Sequence, residues 1–124
     1  MSVHYDAGAL VAADRNDRAI WADHAVRLEL GIVPMTTAPV VAQASRSPRQ
    51  VQLRRFLRGC HSRPFTAADS HPVGALLAKS HAADIVDAHL ILATADGDTV
   101  ITSDPDDLRR LAAALNRRIR IRET

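Results

Sequence analysis

Two short apolar runs in this chain each end on an aspartate at the point where helical spacing begins. Val3-His4-Tyr5 leads into Asp6, and Thr99-Val100-Ile101 leads through Thr102-Ser103 into Asp104-Pro105-Asp106-Asp107-Leu108. A buried strand that hands a carboxylate to a helix start restricts the fold strongly. Where strands alternate with helices, the expected architecture is a parallel sheet covered on both faces. Such sheets bind ligands in the crevice outside the carboxyl ends of their strands.

The rest of the chain supports that alternation. Val3–Asp6 predicts a first strand, followed by a small-residue helix from Ala7 to Ala13. Asn16–Leu30 predicts an amphipathic helix with Trp21, Ala25 and Leu28 on its apolar face, ended by Gly31. Gly31–Thr36 predicts a second strand whose Pro34 argues for an edge or a strand end, and Thr37 then caps a helix through Ala44. In Pro48–Gly59, Leu53, Phe56, Leu57 and Cys60 fall on one face at steps of three and four, with Arg54, Arg55 and Arg58 opposite. Pro64-Phe65-Thr66 predicts a brief strand, Ser70–Lys79 and Asp84–Ala95 two helices, Thr99–Thr102 a buried strand and Pro105–Leu115 a last helix. Arg118-Ile119-Arg120-Ile121-Arg122 alternates strictly and predicts a final strand. The expected fold is a three-layer α/β/α sandwich around a central, mostly parallel sheet.

With 124 residues, 47% of them hydrophobic and 24% charged, the chain fits one domain spanning 1–124. The single cysteine, Cys60, excludes an intrachain disulfide and a cysteine-rich zinc site. Met1–Asp6 has neither the basic start nor the apolar core of an export signal. No run approaches the roughly 20 apolar residues of a membrane span, so a soluble cytoplasmic protein is expected. Fifteen of the 16 basic residues are arginine, Lys79 being the exception, and 12 of the 14 acids are aspartate. Arginine forks suit phosphate groups, and a GC-rich coding bias would produce the same preference.

Asp87, in the first turn of the Asp84–Ala95 helix, is a third acid in a comparable setting. Three carboxylates at one crevice repel each other unless a cation neutralises them. Oxygen-only ligands select Mg²⁺, or Mn²⁺, over zinc. A purely structural account also exists. Asp104, Pro105 and Asp107 make a good helix start by themselves, and Asp84 can cap a helix whose dipole Asp87 offsets. Asp6 is harder to explain that way, because it places a charge in an otherwise small and apolar stretch.

Taken in order, Asp6-Ala7-Gly8-Ala9-Leu10, Asp84-Ile85-Val86-Asp87-Ala88-His89-Leu90 and Thr102-Ser103-Asp104-Pro105-Asp106-Asp107-Leu108 resemble the three acidic motifs of PIN domains. More narrowly, they resemble those of VapC-type toxins of bacterial toxin–antitoxin pairs. The likeness spans almost the whole chain; each motif is weak alone, and the ordered set is fairly specific. The resemblance implies a Mg²⁺-dependent endoribonuclease, usually a homodimer, that is held inactive by a cognate VapB-like antitoxin. On it, Asp6, Asp87 and Asp104 are the metal-site acids, with Asp84 and Asp107 as supporting or capping candidates. One departure stands out: the glutamate that PIN domains carry after the second strand is matched here by Gln43. An amide keeps one acceptor oxygen and loses the charge, so metal affinity and rate are expected to fall. The alternative is a degenerate PIN-like module that binds RNA or a protein with little or no turnover.

Arg46, Arg49 and Arg55, with Arg54 and Arg58, are candidates for sequence-independent phosphate contacts along an RNA path, against the simpler account of a solvated helix face. With only two phenylalanines, one tryptophan and one tyrosine, base stacking on aromatics is a weak expectation. The six histidines show no HExxH-type spacing, and no Gly-x-Ser-x-Gly, P-loop or GxGxxG occurs. A phosphoryl-accepting receiver wants paired acids after the first strand and a late lysine, and an aspartate-nucleophile phosphatase wants Asp-x-Asp. Neither receiver feature exists here, and Asp6-Ala7-Gly8 lacks the second acid of the phosphatase pattern.

Overall fold

In the computed structural model, which describes residues 1–124, five strands pair in the order β3-β2-β1-β4-β5 and every pairing is parallel. The strands are β1 (Val3–Tyr5), β2 (Met35–Thr37), β3 (His61–Arg63), β4 (Thr99–Thr102) and β5 (Arg120–Glu123). Between them run α1 (Ala7–Asp14), α2 (Arg18–Glu29), α3 (Ala38–Ala44), α4 (Val51–Leu57), α5 (Ser70–Ser80), α6 (Ile85–Leu92) and α7 (Pro105–Ala114), with a short 3-10 turn at Ala67–Asp69. Helices α1, α2 and α4 pack as one group and α5, α6 and α7 as another, while α3 touches both α1 and α6. This is the three-layer α/β/α sandwich expected from the alternation. The chain steps outward from β1 to β2 and β3, then returns to place β4 on the other side of β1. The crevice of the sheet therefore opens at the carboxyl ends of β1 and β4, directly where Asp6 and Asp104 stand.

The core is built from both helix groups. Tyr5, Leu10, Phe56, Leu90, Ile91, Val100, Leu108 and Leu111 are fully buried. Around Tyr5 an aromatic cluster joins β1 to α2 and α4. The His24 ring stacks on Phe56 at 3.9 Å between centroids, and Trp21 meets Phe56 edge-on at 5.1 Å. The Tyr5 hydroxyl lies 2.8 Å from His24 Nδ1 and accepts a hydrogen bond from Arg27 at 3.1 Å. Burial pushes the Tyr5 phenol up to about 12 against the pull of Arg27, so it keeps its proton. Cys60, partly buried, packs against this core, and burial pushes its thiol up to about 12.

At the amino end of the sheet, Asp98 ties three segments together. It accepts hydrogen bonds from the Ser2 amide at 2.7 Å and the Ala95 amide at 2.9 Å, and its Oδ2 lies 2.9 Å from His4 Nε2. Burial pushes its carboxyl up, yet these bonds together hold it below the usual carboxylate range.

Several local expectations shift. The α2 face that packs inward is Ile20 and His24, with Trp21 half-buried, whereas Ala25 and Leu28 are exposed. The second strand begins at Met35, not Gly31, and Pro34 precedes it as a strand end inside the sheet, since β2 pairs with both β1 and β3. The brief strand predicted at Pro64–Thr66 lies instead at His61–Arg63. Those three polar residues carry no hydrophobic alternation, and backbone pairing with Met35, Thr36 and Thr37 makes them a strand. The β3 and β5 edges carry exposed polar and charged side chains, which discourages pairing with other chains.

Replacing Asp98 with alanine removes one acceptor from three donors at once, two of them main-chain amides. The expected loss is on the order of 3 kcal/mol, measured as a drop in the urea midpoint at unchanged slope. His4→Ala should cost less, because both amides keep their carboxylate.

Candidate functional site

Asp6 is the residue that follows β1, and its backbone still belongs to the sheet, with its amide donating to the Ile101 carbonyl at 3.0 Å. Its carboxylate is 6% exposed and held from two sides. Thr102 Oγ1 donates to Oδ2 at 2.7 Å, and the Ala7 amide donates to Oδ1 at 2.7 Å. Burial nevertheless raises its pKa, and Asp84 and Asp104 add to the rise. Asp6 thus sits at the N-terminus of α1 with one bond to a neighbouring strand, a placement that depends on Thr102. The Thr102 hydroxyl does a second job by accepting from the Asp104 amide at 3.0 Å.

The start of α1 also needs room. A Cβ added to Gly8 would stand 2.2 Å from Ser103 Oγ and 2.8 Å from the Ser103 amide nitrogen. Glycine is what lets the first turn of α1 lie against the segment that delivers Asp104. Thr102, Ser103 and Gly8 were absent from the acids singled out in the sequence. All three are visible there only as small residues flanking an aspartate.

Asp87, in the first turn of α6, is the most perturbed acid of the molecule. Its pKa is raised from 3.8 to about 7, first by burial and then by the charges of Asp6, Asp84, Asp107 and Asp104. The other four candidate acids therefore all raise Asp87, and Asp84 and Asp104 also raise Asp6. Asp84 is exposed and spends its carboxylate on the α6 cap, accepting from the Val86 and Asp87 amides at 2.8 and 3.2 Å. Asp104 occupies the N-cap position of α7, yet its side chain makes no capping bond. The structural account of Asp104 offered by its spacing fails at that point, leaving its exposed carboxylate free. No lysine, arginine or histidine pairs with any of the five; the salt bridges of the chain lie elsewhere.

The chemistry of this donor set suits a hard cation, since it is all carboxylate oxygen and carries uncompensated charge. No three His, Cys, Asp or Glu side chains are placed to hold one ion between them. An ion here would rely on fewer side chains together with water and substrate oxygens, the manner of Mg²⁺. Gln43 is exposed on α3. Arg46 and Arg55 are turned to other partners. Arg46 donates to the Ser45 carbonyl at 3.0 Å, and Arg55 donates to Gln52 at 3.0 Å and lies over the Trp21 ring. Arg49 is exposed without a side-chain bond, and none of the three pairs with the acids. The cleft of about 270 Å³ between α1, α2 and the ends of β4 and β5, lined by Ile20, Ile101 and Arg122 among others, contains none of the candidate acids.

The raised carboxyl of Asp87 makes stability depend on pH in a defined direction. In the folded protein it holds a proton up to about pH 7, whereas in the unfolded chain it loses it near 3.8. The folded state binds more protons across that window, so stability falls as pH rises through it. Asp98 is depressed, and its contribution is lost only below that window. In chelator, the melting temperature should fall between those two pH values, and Asp87→Asn should flatten the fall. A melting temperature that rises steadily over this range would contradict the arrangement.

No family model matches the chain, and no curated protein matches it in sequence. Its fold matches a chain in the crystal structure of VapBC2 from Rickettsia felis bound to a DNA fragment from their promoter, with a TM-score of 0.68. Sequence identity is 15%, and the match covers 98% of this chain and 98% of that one. End to end, the chain has the PIN-like three-layer fold found in that VapBC structure.

Proposed function

We propose that this chain is a VapC-like endoribonuclease toxin that cleaves RNA by Mg²⁺-assisted phosphodiester hydrolysis and is neutralised by a VapB-like antitoxin. The observation that carries the proposal is a group of acids at the switch point of the sheet that no basic side chain pairs, with burial and neighbouring carboxylates raising Asp6 and Asp87. Folds do not imply functions, so the site bears the weight and the VapBC likeness supports the choice of toxin class. Asp6, Asp87 and Asp104 would hold Mg²⁺, or Mn²⁺ in its place. The ion, when bound, would supply Lewis acidity, an activated water and stabilisation of the leaving oxygen. Thr102 and the Ala7 amide fix the Asp6 carboxylate so that its orientation is set before substrate arrives. Asp87 yields its proton when positive charge enters the crevice. Asp84 and Asp107 stand behind, one holding the helix that carries Asp87 and the other adding negative potential. The bound RNA is the substrate, a VapB-like chain the partner, and a homodimer the expected assembly.

A second reading is favoured by one observation, Gln43 in the place of the family glutamate, on a site with no preassembled three-ligand set. On that reading the chain is a degenerate PIN-like module that binds RNA or a protein without turnover.

RNA cleavage measured with Mg²⁺ and with chelator separates the two. The toxin reading expects cleavage only with the metal, and a loss of about 100-fold or more in Asp6→Asn and Asp87→Asn. Cleavage that survives both substitutions would overturn it. Calorimetric titration with Mg²⁺ near pH 7 should show proton release that disappears in Asp87→Asn. Gln43→Glu should tighten Mg²⁺ by about tenfold, worth ~1.4 kcal/mol. Activity appearing only in that variant would establish the degenerate reading for the natural chain.

A further inference from the structure

Three of the four aromatic residues, Tyr5, Trp21 and Phe56, are consumed by the buried cluster between β1, α2 and α4. The fourth, Phe65, is 37% exposed. It follows β3 by two residues and packs one side of its ring against His89 of α6, with centroids 4.7 Å apart. His89 is itself 1% exposed, and neither ring nitrogen makes a hydrogen bond; Nε2 stands 3.4 Å from Asp69 Oδ2. Asp69 also pairs with Arg63 at 3.4 Å, so a bed of Asp69 and His89 fixes the segment on which Phe65 stands. Asp69 accepts in addition from the Thr66 amide at 2.8 Å, which closes the short turn after Phe65. The ring is thus exposed and held.

Its position is informative. Arg63 ends β3 opposite Thr37, at the same carboxyl edge of the sheet as Asp6 and Asp104. β3 lies two strands from β1, roughly 10 Å at the usual strand spacing. His89, the seat of the ring, follows Asp87 by two residues on α6 and so stands on a different face of that helix. The Arg63 side chain is 42% exposed, and its one recorded partner leaves most of its five donors free. An exposed aromatic face beside a guanidinium with donors to spare, on the same carboxyl edge of the sheet as the acids, is the chemistry that receives one base and one phosphate of a single strand.

We propose that Phe65 is a base-stacking position for single-stranded RNA, with Arg63 contacting the adjoining phosphate. The inference rests on the RNA reading of the acidic crevice and adds the form of substrate it takes: an unpaired strand with a base free to stack. A duplex offers no such face.

The test is equilibrium binding of a fluorescein-labelled single-stranded oligoadenylate to the full chain in chelator, measured by anisotropy. An abasic ribose-phosphate oligomer of the same length serves as control. Phe65→Ala should weaken oligoadenylate binding by about 10-fold, within the range expected for one stacked base, and leave the abasic oligomer unchanged. Phe65→Trp should restore oligoadenylate binding, with its emission quenched on addition of the strand. Arg63→Ala should weaken both oligomers alike and lower the salt dependence. The stacking role is overturned if Phe65→Ala binds oligoadenylate as the natural chain does, or loses both oligomers equally. Natural chain that binds and stacks the strand yet never cleaves it with Mg²⁺ would remove the nuclease reading and leave this position standing. Natural chain that cleaves RNA with a fully active Phe65→Ala would remove this position and leave the nuclease.

Discussion

The hydrogen bond from Thr102 to Asp6 closes the gap between β1 and β4 at the one place where the sheet reverses its order. Much of the site hangs from it. It fixes a nearly buried carboxylate that burial alone would drive toward its neutral form, and the same hydroxyl holds the backbone of Asp104. Close approach of α1 to this segment requires Gly8 to lack a side chain. Strand order, a threonine and a glycine thereby bring two acids, 98 positions apart in sequence, to one crevice. The energetic cost of the arrangement shows at Asp6 and Asp87, which burial and the neighbouring carboxylates raise, and a cation would relieve it.

Much of this was legible from residue order. The strands Val3–Tyr5 and Thr99–Thr102 were recognisable because their hydrophobic residues are buried from both faces. Helices α4 and α7 were recognisable from spacing at three and four. β3 was misplaced because His61-Ser62-Arg63 becomes a strand only through its partner, and no local pattern encodes a partner. The α2 face was misassigned for a related reason. Trp21, Ala25 and Leu28 share a helical stripe, yet Ile20 and His24 are the buried residues, with Trp21 and His24 meeting the Phe56 ring, and only the tertiary packing decides between the stripes. The acids were identifiable by type and order. Their electrostatic coupling, and the failure of Asp104 to act as a cap, were not, because both depend on where side chains from distant segments end up.

Gln43 gives the site its particular character. On the proposed metal reading, a glutamate there would bind the ion more tightly, and the exposed amide on α3 would hold it less firmly. A weaker metal site puts more of the task on substrate oxygens, so discrimination between RNA forms would fall to contacts outside the acids.

The two ends of the sheet are provisioned in opposite ways. At the amino end, Asp98 is saturated with donors and binds the chain terminus to the loop before β4. At the carboxyl end, acids are left short of partners. Integrity of the architecture and chemical competence are therefore encoded by different residues, and a lineage can lose the second without endangering the first. If the proposed nuclease reading holds, drift to an inert scaffold would be an open path for a chain built like this, with relief of charge repulsion as a stabilising by-product at each step.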